Sequence, residues 1–118
     1  MTTKTKRVYD APAKSDGYRI LADRLWPRGV SKADAAVDWW AKELAPSSEL
    51  REWYHAKPDE RFAEFTRRYR AELAANRKAL RALAAEKLGR RTRATLLTAN
   101  KEVAHSHLPT LAAFLAHF

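Results

Sequence analysis

Apolar and polar positions divide this chain into short stretches of strand character and longer ones of helix character. Arg7-Val8-Tyr9 reads as a first strand, ended by Ala11-Pro12, and Lys14-Ser15-Asp16-Gly17 is a turn cluster. Tyr18 to Trp26 predicts a second strand, with Tyr18, Ile20 and Ala22 on one face and Arg19, Leu21 and Asp23 on the other. Its middle is apolar on both faces, the mark of a central strand covered on both sides. Pro27-Arg28-Gly29 breaks it. Ser31-Lys32-Ala33-Asp34 resembles a capping box, and Val37, Trp40 and Leu44 recur at helical spacing, so a helix is predicted over 31–44, closed by Pro46. Trp26 and Trp40 are expected in the core, with one of the adjacent Trp39 and Trp40 only partly buried.

The second half is more regular. Ser47 or Ser48 caps a short helix carrying Leu50, Trp53 and Tyr54. Pro58 suits the first position of the next helix, with Asp59 and Glu60 in its opening turn and Phe62, Phe65, Tyr69 and Leu73 as its buried stripe. Asn76 divides that helix from another that begins at Arg77, carries Leu80 and Leu83 and stops at Gly89. Thr92–Thr98 (TRATLLT) predicts a third strand, and its adjacent Leu96 and Leu97 require apolar cover on both faces. After a polar loop, a last helix follows Pro109 with Leu111, Phe114, Leu115 and Phe118 at helical spacing.

This order predicts one α/β domain over residues 1–118: a small sandwich with a short, mainly parallel sheet of about three strands and four to five helices. The helices between the second and third strands permit a right-handed crossover, so those strands should be parallel. Ligands of such folds bind at the carboxyl ends of the strands. The loop DRLWPRG at residues 23–29 and the loop Asn100–His107 should therefore share one rim, with Asp23, Arg24, Arg28, Glu102 and His105 around one cleft and free N–H groups of the last helix pointing into it.

Composition narrows the classes. The chain has 118 residues, 46% of them apolar, enough for one core without staples. No apolar run reaches the roughly 20 residues of a membrane span. No apolar signal segment follows the basic MTTKTKR, so a cytoplasmic protein is expected, as a monomer or weak homodimer. The absence of cysteine rules out disulfides, thiolate zinc sites and a cysteine nucleophile. Net charge is +9, and residues 59–93 hold eleven basic against five acidic side chains. Such an excess favours polyanions or phosphorylated ligands, and it also fits arginine-rich helices that are simply solvated.

The candidate chemistry lies at the predicted rim. Asp23, Glu102 and His105 can supply a general acid and base or hold a divalent cation, and arginines can grip a phosphate in bidentate fashion. Each also has a plainer reading: Asp23–Arg24 as a pair bracing the strand end, His105 as a loop residue. His105 and His107, two apart, are a weak metal signal, and HExxH, GxGxxG, the P-loop and CxxC are absent.

RVYDAPAKSDGYRILADRLWPRGVSK, KELAPSSELREWY, FAEFTRRYRAEL and TLLTANKE with its following His resemble the small bacterial YeaO-like proteins of domain-of-unknown-function family 488, over nearly the whole chain. The resemblance implies a single α/β domain but no established reaction. It places the family's polar pattern on Asp23, Arg24, Pro27, Arg28 and Gly29, then on Lys42, Ser47 and Arg51. In the last loop Glu102 stands for the usual Asp, His105 matches the usual His, and Ser106 replaces the usual Asn. Pro109 enters where relatives run on as helix, so a late helix start and a looser loop are expected.

Two functions compete. One is an enzyme-like site for an anionic, phosphate-bearing ligand, a nucleotide or nucleic acid, with hydrolysis as the reaction class: Asp23 and Glu102 as base or metal ligands, His105 as acid or base, and Arg24, Arg28, Lys42, Ser47 and Arg51 holding the ligand. The other is a non-enzymatic nucleic-acid binder or accessory stress protein that uses the basic helical surface from Arg61 to Arg93.

Overall fold

Four parallel strands in the order β1-β4-β2-β3 form the sheet in the computed structural model, which describes residues 1–118. They are β1 (Thr2–Arg7), β2 (Tyr18–Leu21), β3 (Trp39–Trp40) and β4 (Arg93–Thr98). The helices are α1 (Lys32–Ala35), α2 (Ser48–Ala56), α3 (Pro58–Ala75), α4 (Arg77–Leu88) and α5 (Leu108–Leu115), with turns of 3-10 helix at Lys14–Asp16, Lys42–Leu44 and Val103–His105. The α/β class and the parallel pairing of the YRIL and TLLT strands agree with the sequence reading: Ile20 lies beside Leu96 and Leu21 beside Leu97.

Because side chains alternate along a strand, these pairs face opposite ways. Ile20, Ala22, Ala94 and Leu96 join the main core beneath the longer helices, with Leu50, Tyr54, Phe65, Tyr69, Leu73, Leu80, Leu111 and Leu115. Leu21 and Leu97 join Val8 and Ala35 in a smaller core on the other face, under α1 and its flanking loops. Tyr54 stacks on Phe65 at 4.2 Å, and the buried Tyr69 hydroxyl donates to the carbonyl of Leu44, fixing the segment before α2. Ser47 caps α2, Pro58 opens α3, Asn76 separates α3 from α4, and Gly89 ends α4, all as the sequence predicts.

Three expectations are corrected. The first strand is Thr2–Arg7 rather than residues 7–9: it is an edge strand whose alternate side chains reach solvent, so its polar residues hid it. The second ends at Leu21, and residues 22–26 already form the loop. The helix over 31–44 does not form. Ser31 caps α1, but Ala36 turns left-handed (φ 49°) and stops it after four residues. The Asp38 carboxylate then accepts the Arg19 N–H, and Trp39-Trp40 pairs with Ile20-Leu21 as β3. Tandem aromatics favour a pleated strand, and here sheet pairing outweighed a helical spacing. Trp39 is the buried one and Trp40, expected in the core, is only partly buried, so one of the pair is partly exposed as expected but it is the other tryptophan.

The N-terminal end of β2 is held by buried charge. Asp16 is 1% exposed and pairs with Arg19 (2.5 Å), Lys4 (3.0 Å) and Lys6 (3.1 Å). Arg19 also donates to the carbonyls of Ala35 and Ala36, and the Thr95 hydroxyl of β4 donates to the Asp16 carbonyl. Gly17 follows at φ 64°, where a Cβ would stand 3.0 Å from the Arg93 carbonyl oxygen, so only glycine fits the bend into β2.

Burial would raise the Asp16 pKa, but the Ala13 N–H and the cations of Lys4, Lys6 and Arg19 outweigh it and hold the carboxyl well below the usual range. Its contribution is therefore complete above the ordinary carboxylate pKa and lost as pH falls toward the lower folded value. Asp16→Asn should cost about 3 kcal/mol, the low end for breaking a buried pair because two of its cations reach solvent. Urea denaturation at neutral pH reads this loss, and below pH ~4 the wild type should fall toward the variant.

Candidate active site

DRLWPRG leaves β2 at its carboxyl end beside the end of β4, as the parallel pairing requires. The Asp23 carboxylate accepts the Thr98 hydroxyl and the Ala99 N–H, both at 2.8 Å, while its carbonyl accepts the Trp40 indole N–H at 2.8 Å. Trp26 packs edge-on against Trp40 at 5.3 Å and donates to the Val30 carbonyl, closing the turn that Pro27 and Gly29 shape. The Arg28 carbonyl accepts the Tyr9 hydroxyl, which ties the turn to the segment after β1.

These loops open a cleft of about 420 Å³. Of the residues singled out from the sequence, Asp23, Arg24, Arg28 and Arg51 line it. Arg24 is anchored by its Nε–H to the Pro46 carbonyl at 2.7 Å. Arg51 projects from α2, and its buried Nε has no hydrogen-bond partner in the chain. Glu102 and His105 line a separate recess of about 310 Å³, which shares Tyr54, His55 and Asn100 with the cleft. There the exposed His105 ring stands edge-on to Phe62 at 5.2 Å, and its carbonyl accepts the Tyr54 hydroxyl at 2.6 Å. Lys42 and Ser47 lie outside both. The Lys42 ammonium sits over the Trp40 ring at 3.9 Å, and the Ser47 hydroxyl accepts the Leu50 N–H and donates to Glu72.

Two histidines in the cleft were not singled out as site residues. His107 is buried, its Nε2 lies 2.7 Å from the Ala22 carbonyl and 3.5 Å from Asp23, and its ring is edge-on to Tyr69. Burial lowers its pKa against the opposing pull of Asp23 and that carbonyl, and since a carbonyl oxygen only accepts, its Nε2–H donates to Ala22. His55, on the cleft wall of α2, is also lowered, by partial burial and then by the Arg51 charge, with Asp23 opposing. In the sequence His107 appeared only as half of a weak His-x-His pair, and His55 had no signal beside the Trp53-Tyr54 stripe.

The last loop is tighter than expected. α5 begins at Leu108 with Pro109 in its first turn, because the Ser106 hydroxyl accepts the Leu108 N–H and donates to the Val103 carbonyl. Proline itself has no N–H, so the helix start offers few of the free donors that an anion site there would need. The divalent cation also lacks a donor set: nowhere do three His, Asp or Glu side chains come together as ligands, and both Asp23 oxygens already accept hydrogen bonds. No helix is long and apolar enough to cross a membrane.

Asp23 thus clasps the ends of two strands. Asp23→Asn turns one acceptor into an amide donor facing the Ala99 N–H or the Thr98 hydroxyl. The expected cost is about 1–3 kcal/mol, seen as a lower Tm together with faster hydrogen exchange at Ala99. An unchanged Tm and unchanged exchange would show that the clasp carries no weight.

The sequence profile described as the inactive DUF488-N3 subclade matches residues 2–117. The chain is 44% identical over 115 residues to the uncharacterised protein YeaO of Escherichia coli (strain K12), spanning 98% of this chain and 97% of that protein. It is 47% identical over 112 residues to an uncharacterised protein of Mycobacterium tuberculosis (strain ATCC 25618 / H37Rv), spanning 95% and 92%. An uncharacterised protein of Mycobacterium bovis gives the same figures, and no solved structure matches the chain significantly. The domain, its DRLWPRG rim and its near full-length relatives together make this chain a YeaO-like member of the DUF488 family, in the inactive DUF488-N3 subclade.

Proposed function

We propose that the chain is a non-catalytic binding protein for a small anionic, phosphate-bearing ligand held in the cleft between DRLWPRG and α2. The observation that carries this reading is the gathering of three arginines, Arg24, Arg28 and Arg51, around one cleft. They stand against the single carboxylate of Asp23, and none of them forms an ion pair within the chain.

Hydrolysis, the reaction class that the polar residues first suggest, finds little support. Each Asp23 oxygen already accepts a hydrogen bond and the His107 Nε2 is held by the Ala22 carbonyl, which leaves the His107 Nδ1 lone pair as the one nitrogen of that pair not used by the fold. Glu102 and His105 stand in the neighbouring recess. The description of the family as an inactive subclade points the same way.

Calorimetric titration with sulfate tests the proposal, because sulfate keeps its charge across the working pH range. Arg51→Ala should weaken binding roughly tenfold, the equivalent of about 1.4 kcal/mol, without loss of the folded circular-dichroism spectrum. A bound anion favours the protonated form of His55. Affinity should therefore rise as pH falls through the His55 titration below ~6.5, and His55→Gln should flatten that rise. Absence of sulfate binding, or equal affinity in Arg51→Ala, would reject the reading.

A second reading, nucleic-acid binding along α3 and α4, is favoured by exposed basic side chains that pair with no carboxylate: Arg70, Arg77, Lys78, Arg81, Lys87 and Arg90. Duplex DNA bound this way should lose affinity with salt at a log–log slope near −0.9 per phosphate neutralised. A flat response in a gel-shift series would exclude it.

A further inference from the structure

The recess beside the cleft carries the opposite charge. Its charged side chains are Asp59, in the first turn of α3, and Glu102, in the loop after β4, and no lysine or arginine lines it. Both carboxylates are exposed and neither forms an ion pair, although the chain has 23 basic residues to 14 acidic. The cleft is the reverse, with three arginines against Asp23. Tyr54, His55 and Asn100 line both, so cleft and recess adjoin along a common wall. The acidic end also has an aromatic side: the Phe62 and His105 rings meet edge-on at 5.2 Å, and the Tyr54 hydroxyl pins the backbone beneath them. Carboxylates beside an aromatic surface suit an ammonium group, through charge and through the ring quadrupole.

We propose that cleft and recess together form a groove for an elongated ligand with a phosphate at one end and a protonated amine at the other: the phosphate on Arg51, Arg24 and Arg28, the ammonium at the end lined by Asp59, Glu102 and Phe62. This rests on the anion reading of the cleft and adds the ligand's second end. It gives Glu102 and Asp59 a role as ammonium receptors, and it accounts for two unpaired carboxylates in the neighbourhood of a basic cleft. The separation of unlike charges along the groove fixes the ligand's direction, since the reversed pose would set phosphate against two carboxylates and ammonium against three guanidinium groups.

Three probes test it by calorimetric titration of the full chain: inorganic phosphate, aminohexyl phosphate and hydroxyhexyl phosphate. The amine should bind roughly fivefold tighter than the alcohol, the upper end of what an exposed ion pair supplies. The double variant Asp59→Asn/Glu102→Gln should abolish that preference without weakening the binding of inorganic phosphate, because it removes only negative charge. Its two sites are exposed, so it should fold as the wild type does, which the circular-dichroism spectrum checks. Equal affinity for amine and alcohol while inorganic phosphate still binds would overturn this inference and leave the cleft reading standing, and so would an amine preference that survives the double variant. Failure of all three probes to bind would overturn both.

Discussion

The Asp23 carboxylate is the contact on which the rim depends. It accepts one hydrogen bond from the Thr98 side chain and one from the Ala99 backbone, and so locks the exit of β2 to the exit of β4. Two parallel strands have no hairpin to fix where their loops depart. Something must hold the ends, and a partly buried acceptor with both oxygens satisfied does so at low cost, since its desolvation is offset by hydrogen bonds to the charged form. DRLWPRG and the loop after β4 are therefore set against each other, and the cleft between them is a consequence.

The opposite end of β2 is held by a second carboxylate. Asp16 gathers Arg19, Lys4 and Lys6 and receives through its carbonyl the Thr95 hydroxyl, while Asp23 receives the Thr98 hydroxyl. The two threonines of β4 thus latch the two ends of its neighbour. The devices differ in kind: Asp16 works by buried charge, with a lowered pKa and a sensitivity to acid, and Asp23 by hydrogen bonds to neutral donors. The polar residues of TRATLLT are spent on register, and its two leucines supply one core each.

The side chains of the rim divide by whether the fold already uses them. Both Asp23 oxygens and the His107 Nε2 are held by hydrogen bonds within the chain. Arg51 is not committed, and neither are Asp59 and Glu102. The uncommitted charges are of opposite sign in the cleft and in the adjoining recess, which is the basis of the proposed binding role. After partial burial, the Arg51 charge lowers the His55 pKa and the Asp23 charge opposes it, so on the proposed reading its protonation is coupled to an anion in the cleft.

By itself the sequence determined what depends on neighbours along the chain. The buried strands YRIL and TLLT, the Ser47 cap, the Pro58 start, the Asn76 break and the Gly89 stop were legible, because apolar periodicity, caps and breakers act within one element. The basic excess and the DRLWPRG rim with Asp23, Arg24 and Arg28 were legible too. Tertiary structure decided the rest. Trp39-Trp40 became a strand only because β2 offered an unpaired edge, and Thr2–Arg7 only because β4 offered another. Lys42 went to an indole face and Ser47 to a helix cap, while His107 rather than His105 came to lie in the cleft beside Asp23. The reason is physical: a hydrogen bond or an ion pair goes to whichever group the packed chain brings within about 3 Å, and residues far apart in sequence carry no local signal of that distance.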